Sequence, residues 1–88
     1  MKISNIFTHP KFDKNYKKLP AKIKDKAKKR EPLFREDAFH PILKTHRLHG
    51  QDKNSWAFWI DYNYRIKFIF LNESDVLFLD IGTHKIYK

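Results

Sequence analysis

The sequence predicts one small α+β domain: an N-terminal strand, then a helical hairpin packed on one face of an antiparallel-rich four-stranded sheet. Three observations carry this. The chain has 88 residues, enough for one core and too few for two domains. Apolar residues recur with a helical period as far as about residue 36, and with a period of two from Ser55 onward. A run of strands after a run of helices places helices on one side of a sheet rather than between parallel strands.

Taken in order, residues 2–7 read as a short opening strand. Thr8 is placed to cap a helix whose first turn holds Pro10, where a missing N–H costs nothing. Phe12, Tyr16 and Leu19 form one apolar stripe on that Lys-rich helix. Pro20 ends it and opens a second helix, whose face continues through Ile23, Ala27 and Phe34, with Arg30 or Glu31 where another apolar residue is expected. Pro32 predicts a kink or split near Glu31–Pro32, because its ring clashes one turn back and removes a backbone bond. Ala38 to Asn54 reads as loop with at most a short extended piece. Trp56, Phe58 and Ile60 then alternate with Ala57, Trp59 and Asp61, and Asp61-Tyr62-Asn63 makes a tight turn. Tyr64, Ile66, Phe68 and Phe70 alternate with Arg65, Lys67, Ile69 and Leu71. A second turn at residues 72–75 leads into Val76–Ile81, whose near-continuous apolar run predicts a central strand.

Two amphipathic helices cover only one sheet face. Strand parity puts Tyr64, Ile66, Phe68 and Phe70 into the covered core, and leaves Arg65, Lys67, Trp59 and Asp61 on the open face. Cations and an indole on an uncovered sheet make that face the candidate working surface.

Composition narrows the class. Hydrophobic residues at 41% and aromatics at 16% exclude a disordered basic tail. The longest apolar run is too short for a transmembrane span or a signal peptide, so no membrane association is expected. The absence of cysteine excludes disulfides, Cys-ligated zinc and a thiol nucleophile, and fits a reducing cytoplasm. The formal net charge is +9. Residues 1–30 hold eleven basic and two acidic residues, whereas residues 31–60 and 61–88 are each balanced at four and four. The surplus thus lies on the hairpin, at Lys14, Lys17, Lys18, Lys22, Lys24, Lys26, Lys28 and Lys29 among others. It reads either as a solvated helix face or as a surface for a target of high negative charge density.

An ordered series of segments resembles the RelE/ParE superfamily of toxins from type II toxin–antitoxin pairs, and within it the YafQ-like mRNA interferases. The series is Phe12…Tyr16-Lys17-Lys18-Leu19, His40-Pro41-Ile42-Leu43-Lys44-Thr45-His46-Arg47-Leu48-His49-Gly50, Trp56–Ile60, Asn63–Phe68, and Phe78-Leu79-Asp80-Ile81-Gly82-Thr83-His84-Lys85-Ile86-Tyr87. The resemblance implies a metal-independent endoribonuclease without cofactor that cuts mRNA on the ribosome. Its implied partners are the ribosome, mRNA and a cognate, acidic antitoxin, with oligomers formed only through the antitoxin complex.

Metal-free RNA cleavage needs proton transfer at the 2′-hydroxyl and the leaving oxygen, and charge stabilisation at phosphate. Histidine, with an ordinary pKa of ~6.5, suits the first task, and the guanidinium fork suits the second. By resemblance His84 and His46 are the proton-transfer residues, Arg65 braces the scissile phosphate and Tyr87 stacks on or polarises the substrate. The residues alone also allow His84 as a polar cap on the last strand. They allow Arg65 as a partner for Asp80 or Asp61, and Tyr87 as packing that pins the tail. Tyr64 and Arg65 stand where similar enzymes carry an Asp and a Trp, which makes Asp61 a substitute acid–base candidate. His49 has no counterpart, and with His46 it makes only half a zinc site, so no metal is expected. Lys44, Arg47, Lys53, Lys67 and Lys85 are candidate phosphate contacts, and Trp59 a candidate base-stacking residue. Two rivals remain: a ParE-like inhibitor of DNA gyrase without chemistry, and a non-catalytic RNA-binding module of the same fold.

Overall fold

The computed structural model describes residues 1–50 and 54–87. Along the chain lie β1 (Asn5–Thr8), α1 (Pro10–Lys17), α2 (Ala21–Glu36), β2 (His46–Arg47), β3 (Ser55–Trp59), β4 (Tyr64–Phe70) and β5 (Asp75–Thr83). Two 3-10 turns, Pro41–Leu43 and His84–Tyr87, flank the sheet segments. The strand order is β1-β5-β4-β3-β2, with β1 parallel to β5 and the other pairs antiparallel.

The sheet therefore has five strands, not four. The added strand is the two-residue β2, which pairs His46 with Ala57 and Arg47 with Trp56. Two residues are too few for any periodicity to register, and only β3 beside them makes them a strand. The opening strand also begins later than expected. Residues before it are tied elsewhere: the Ile3 N–H donates to the Arg35 carbonyl at 2.8 Å and the Ser4 N–H to Ser74 at 2.7 Å.

Thr8 does not cap α1. It is spent in the β1–β5 ladder, and His9 caps instead, its Nδ1 accepting the Lys11 N–H at 3.0 Å. Pro32 neither splits nor ends α2, which runs through it to Glu36. Its ring is exposed, so the carbonyl that loses its partner can turn to water. Two residues on, Phe34 is fully buried, and that burial outweighs the missing bond. Arg30, at the non-apolar position of the stripe, donates from Nε to the Ile60 carbonyl at 3.1 Å and so fastens α2 to the end of β3.

Phe34 stacks on Phe58 with ring centroids 4.5 Å apart and meets Phe68 and Phe78 edge-on at 5.1 and 5.6 Å. The core thus lies between α2 and the helix side of β3, β4 and β5. As expected, β5 has a strand on each side. Its apolar run has a second cause. Phe68 pairs with Phe78 and Lys67 with Asp80, which leaves Leu79 unopposed. This bulge resets the alternation, so both Phe78 and Ile81 reach the core.

Candidate active site

On the face away from the core, the register aligns Trp59, Arg65 and Gly82 in one row. His46, Ala57, Lys67 and Asp80 form the next row. Arg65 and Trp59 thus share the open face, as parity predicts. Gly82 and Ala57 leave a shallow floor, and the turn His84–Tyr87 folds back across it. A Cβ on Gly82 would stand 2.8 Å from Cγ2 of Ile86. One residue on, the Tyr87 ring meets the His46 ring edge-on at 5.7 Å. Since a 3-10 helix has three residues per turn, His84 and Tyr87 lie on the same side of it. Arg65, His46 and Tyr87 are brought together, and His84 stands exposed at the start of the turn.

The close approach at Gly82 yields a prediction. Gly82→Ala should displace Ile86 and carry Tyr87 off His46, costing about 1–3 kcal/mol by overpacking. Adding Ile86→Ala should restore much of the loss, a non-additivity readable in thermal melts of the two single variants and the double.

Arg65 is held by backbone and by an indole. Its Nη1 donates to the carbonyls of Asp61 at 2.8 Å and Tyr62 at 2.6 Å. Its guanidinium carbon lies 4.1 Å from the centre of the Trp59 ring. Neither carboxylate considered as its partner is engaged with it. Asp80, buried, accepts from Asn15 Nδ2 at 2.7 Å and the Ile81 N–H at 2.8 Å, and pairs with Lys11 at 3.4 Å. Nη1 is therefore occupied by the turn, while among the described residues no hydrogen bond of good geometry engages Nε or Nη2, the donor edge suited to two phosphate oxygens.

Asp61 anchors the turn. Its Oδ1 accepts the N–H groups of Asn63 and Tyr64, each at 2.9 Å, and its Oδ2 meets Lys26 Nζ at 3.1 Å. Burial pushes its pKa up, but the Tyr64 N–H, the Lys26 ammonium and the Asn63 N–H together hold it below the ordinary 3.8. A depressed carboxyl stabilises the fold fully above its unfolded pKa, and that contribution is lost as pH falls through the folded value. Asp61→Asn should therefore destabilise at neutral pH and converge with wild type under strong acid, in melts recorded from pH 7 downward.

His46 lies half-buried with Nδ1 2.9 Å from the Lys44 carbonyl. A carbonyl only accepts, so Nδ1 carries a proton and Nε2 is the nitrogen free to exchange one. The Tyr87 hydroxyl is buried and has no hydrogen-bond partner among the described residues. Burial raises its pKa above 10.0, against the opposing charge and donor field of Arg65. No hydrogen bond of good geometry joins the two, so the phenol is a neutral O–H donor without an acceptor.

The other candidates divide. Lys67 shares the open face beside Asp80, and Lys85 is exposed on the turn that crosses it. Lys44 is exposed, in a left-handed conformation (φ 53°) that ends the first 3-10 turn. Arg47 is in register with Trp56 and belongs to the opposite face from Arg65. Lys53 lies outside the described residues. One face of Trp59 is covered by Arg65 and it meets Tyr62 at 5.8 Å, so its first role is to hold the guanidinium. Among the described residues no three His, Asp or Glu side chains converge as metal ligands, and no helix is long and apolar enough to cross a membrane. Sequence reasoning passed over Tyr62, which is 77% exposed at the tip of the turn that holds Arg65. The only signal was a large aromatic between two turn-forming polar residues.

The helical pair on one side of a sheet of order β1-β5-β4-β3-β2 is a fold shared with several solved structures. Among solved structures, the YoeB/ParE toxin from Agrobacterium tumefaciens superposes with a TM-score of 0.75 at 13% identity, over 92% of this chain and 99% of that one. YafQ from E. coli gives 0.73 at 18% identity, over 92% and 93%. A RelB–RelE antitoxin–toxin complex from Methanococcus jannaschii gives 0.70 at 18% identity, over 91% and 92%. The sequence matches no protein-family model and no curated protein.

Proposed function

We propose that this chain is the toxin of a type II toxin–antitoxin pair and a metal-independent endoribonuclease acting on ribosome-bound mRNA. The observation that carries this reading is the meeting of Arg65, His46 and Tyr87 on the open sheet face, with His84 at its rim. The 2′-hydroxyl gives its proton to one imidazole and its oxygen attacks the adjacent phosphorus. The 5′-oxygen leaves with a proton from the other, giving a 2′,3′-cyclic phosphate and a 5′-hydroxyl end. Nε and Nη2 of Arg65 hold the non-bridging oxygens, and the Tyr87 ring, edge-on to His46, holds that imidazole in place. The fold, and the antitoxin bound in the similar M. jannaschii structure, support an acidic antitoxin that covers this open, cation-bearing face.

Expression without an antitoxin tests the reading. Growth arrest is expected, with primer extension mapping new 5′ ends on mRNA only when ribosomes are present. His84→Ala and Arg65→Ala should abolish both effects. Unimpaired growth would sink the toxin reading, and inhibited gyrase supercoiling with intact mRNA would move the target to DNA gyrase. The hairpin lysines act separately. Neutralising three or four of them should weaken ribosome binding and flatten its salt dependence while sparing the single-turnover cleavage rate. An unchanged salt slope would reduce the surplus to a solvated face.

A further inference from the structure

The β3–β4 turn carries an aromatic ring that the fold does not use. Tyr62 is the most exposed large apolar side chain among the described residues. An aromatic contributing so little burial usually sits on loosely held backbone, yet this turn is fixed from several directions. Asp61 Oδ1 takes two of its N–H groups, Lys26 reaches Asp61 from α2, and Arg65 Nη1 draws in the carbonyls of Asp61 and Tyr62. Trp59 stands against the ring at 84° and backs it from one side. The bonds that fix Tyr62 are thus the same bonds that aim the guanidinium. The backbone that bears the ring and the guanidinium are held by one set of bonds.

We propose that Tyr62 is a nucleobase-stacking platform, on which a base of single-stranded RNA lies while Arg65 holds the phosphate attached to the same nucleotide. The inference rests on RNA being the substrate, as proposed above. The guanidinium already covers one face of Trp59, whereas the Tyr62 ring stands 77% exposed. A phenol ring accepts any base through its π-face, so the subsite selects an unstacked, single-stranded nucleotide and not a sequence. A duplex, whose bases already stack on one another, gains nothing from it.

The test uses the full chain and a short single-stranded oligoribonucleotide carrying 2-aminopurine, whose fluorescence falls when the base stacks on an aromatic ring. Wild type should quench the probe on binding, and Tyr62→Phe and Tyr62→Trp should quench it equally. Tyr62→Leu should lose the quench and raise Kd roughly tenfold, with an unchanged melting temperature and an unchanged salt slope. On translating ribosomes the same variant should raise KM more than it lowers kcat. Absence of quenching by wild type, or equal quenching by Tyr62→Leu, overturns the platform. The nuclease reading falls by a different result, intact mRNA with wild-type protein, so the two failures are distinguishable.

Discussion

Arg65→Ala should lower the rate of mRNA cleavage by about 10²–10³-fold, the usual consequence of deleting a fixed donor to transition-state charge. The side chain is prepared for that task before substrate arrives. Its Nη1 is satisfied by the carbonyls of Asp61 and Tyr62, and its face lies on Trp59, so little side-chain freedom is left to lose on binding. Neither Asp80 nor Asp61 competes for the remaining donors, because Asp80 is bound to Asn15 and Lys11 and Asp61 to Lys26. Arg65→Lys should fail almost as badly. An ammonium keeps the charge but cannot bond the turn carbonyls and present two parallel donors at once. The check is single-turnover cleavage on programmed ribosomes, together with a thermal melt. Losing the cation–π contact and the two bonds to the turn carbonyls should cost about 1–3 kcal/mol, so an inactive protein that still folds cooperatively is expected. Full activity in Arg65→Lys would show that charge alone suffices and that the fork geometry is incidental.

Much of this site is legible in the sequence because strand parity is robust. The alternation from Tyr64 to Leu71 is enough to send Arg65 outward and Ile66 inward. The alternation from Ser55 does the same for Trp59 and Phe58. Parity says nothing about lateral partners, however. That Trp59 supports a guanidinium instead of a base depends on β3–β4 register and on the turn between the strands. The Leu79 bulge was hidden because an apolar run looks alike whether a strand is merely central or also carries an extra residue. β2 was hidden because its two residues form a strand only through β3. Pro32 and Thr8 mislead for one reason: a local preference of a few kcal/mol or less yields to tertiary partners. For Thr8 the partner is the β1–β5 ladder, and for Pro32 it is the core just beyond it.

The segregation of charge takes on a spatial meaning in this fold. Residues 1–30, which carry the surplus, form β1, α1 and much of α2, whereas Arg65 and its companions lie on the opposite sheet face. The Lys26–Asp61 pair at 3.1 Å joins the two regions, so one hairpin lysine supports the turn that aims the guanidinium. Lys26 should therefore stand apart from the helix lysines that make no such contact. Its removal reaches the chemistry, while theirs changes docking.

The largest stability effect should come from Phe34→Ala. The side chain is fully buried and its ring touches three others, from β3, β4 and β5. Truncating a central phenylalanine costs about 3–5 kcal/mol through lost transfer energy and the cavity left behind. A small domain holds only ~5–15 kcal/mol in total. The melting temperature should drop by more than about 10 °C, whereas Phe39→Ala, at a ring 43% exposed, should shift it far less. Pro32→Ala should move it upward, since alanine restores the missing N–H and relieves the ring clash without disturbing Phe34. In cells Phe34→Ala should also reduce toxicity, but through a smaller folded population. That route is separable from Arg65→Ala: the core variant should regain activity per folded molecule at lower temperature, and the site variant should not. A melt of Phe34→Ala within a few degrees of wild type would mean that the helix beyond Pro32 does not deliver Phe34 to the core.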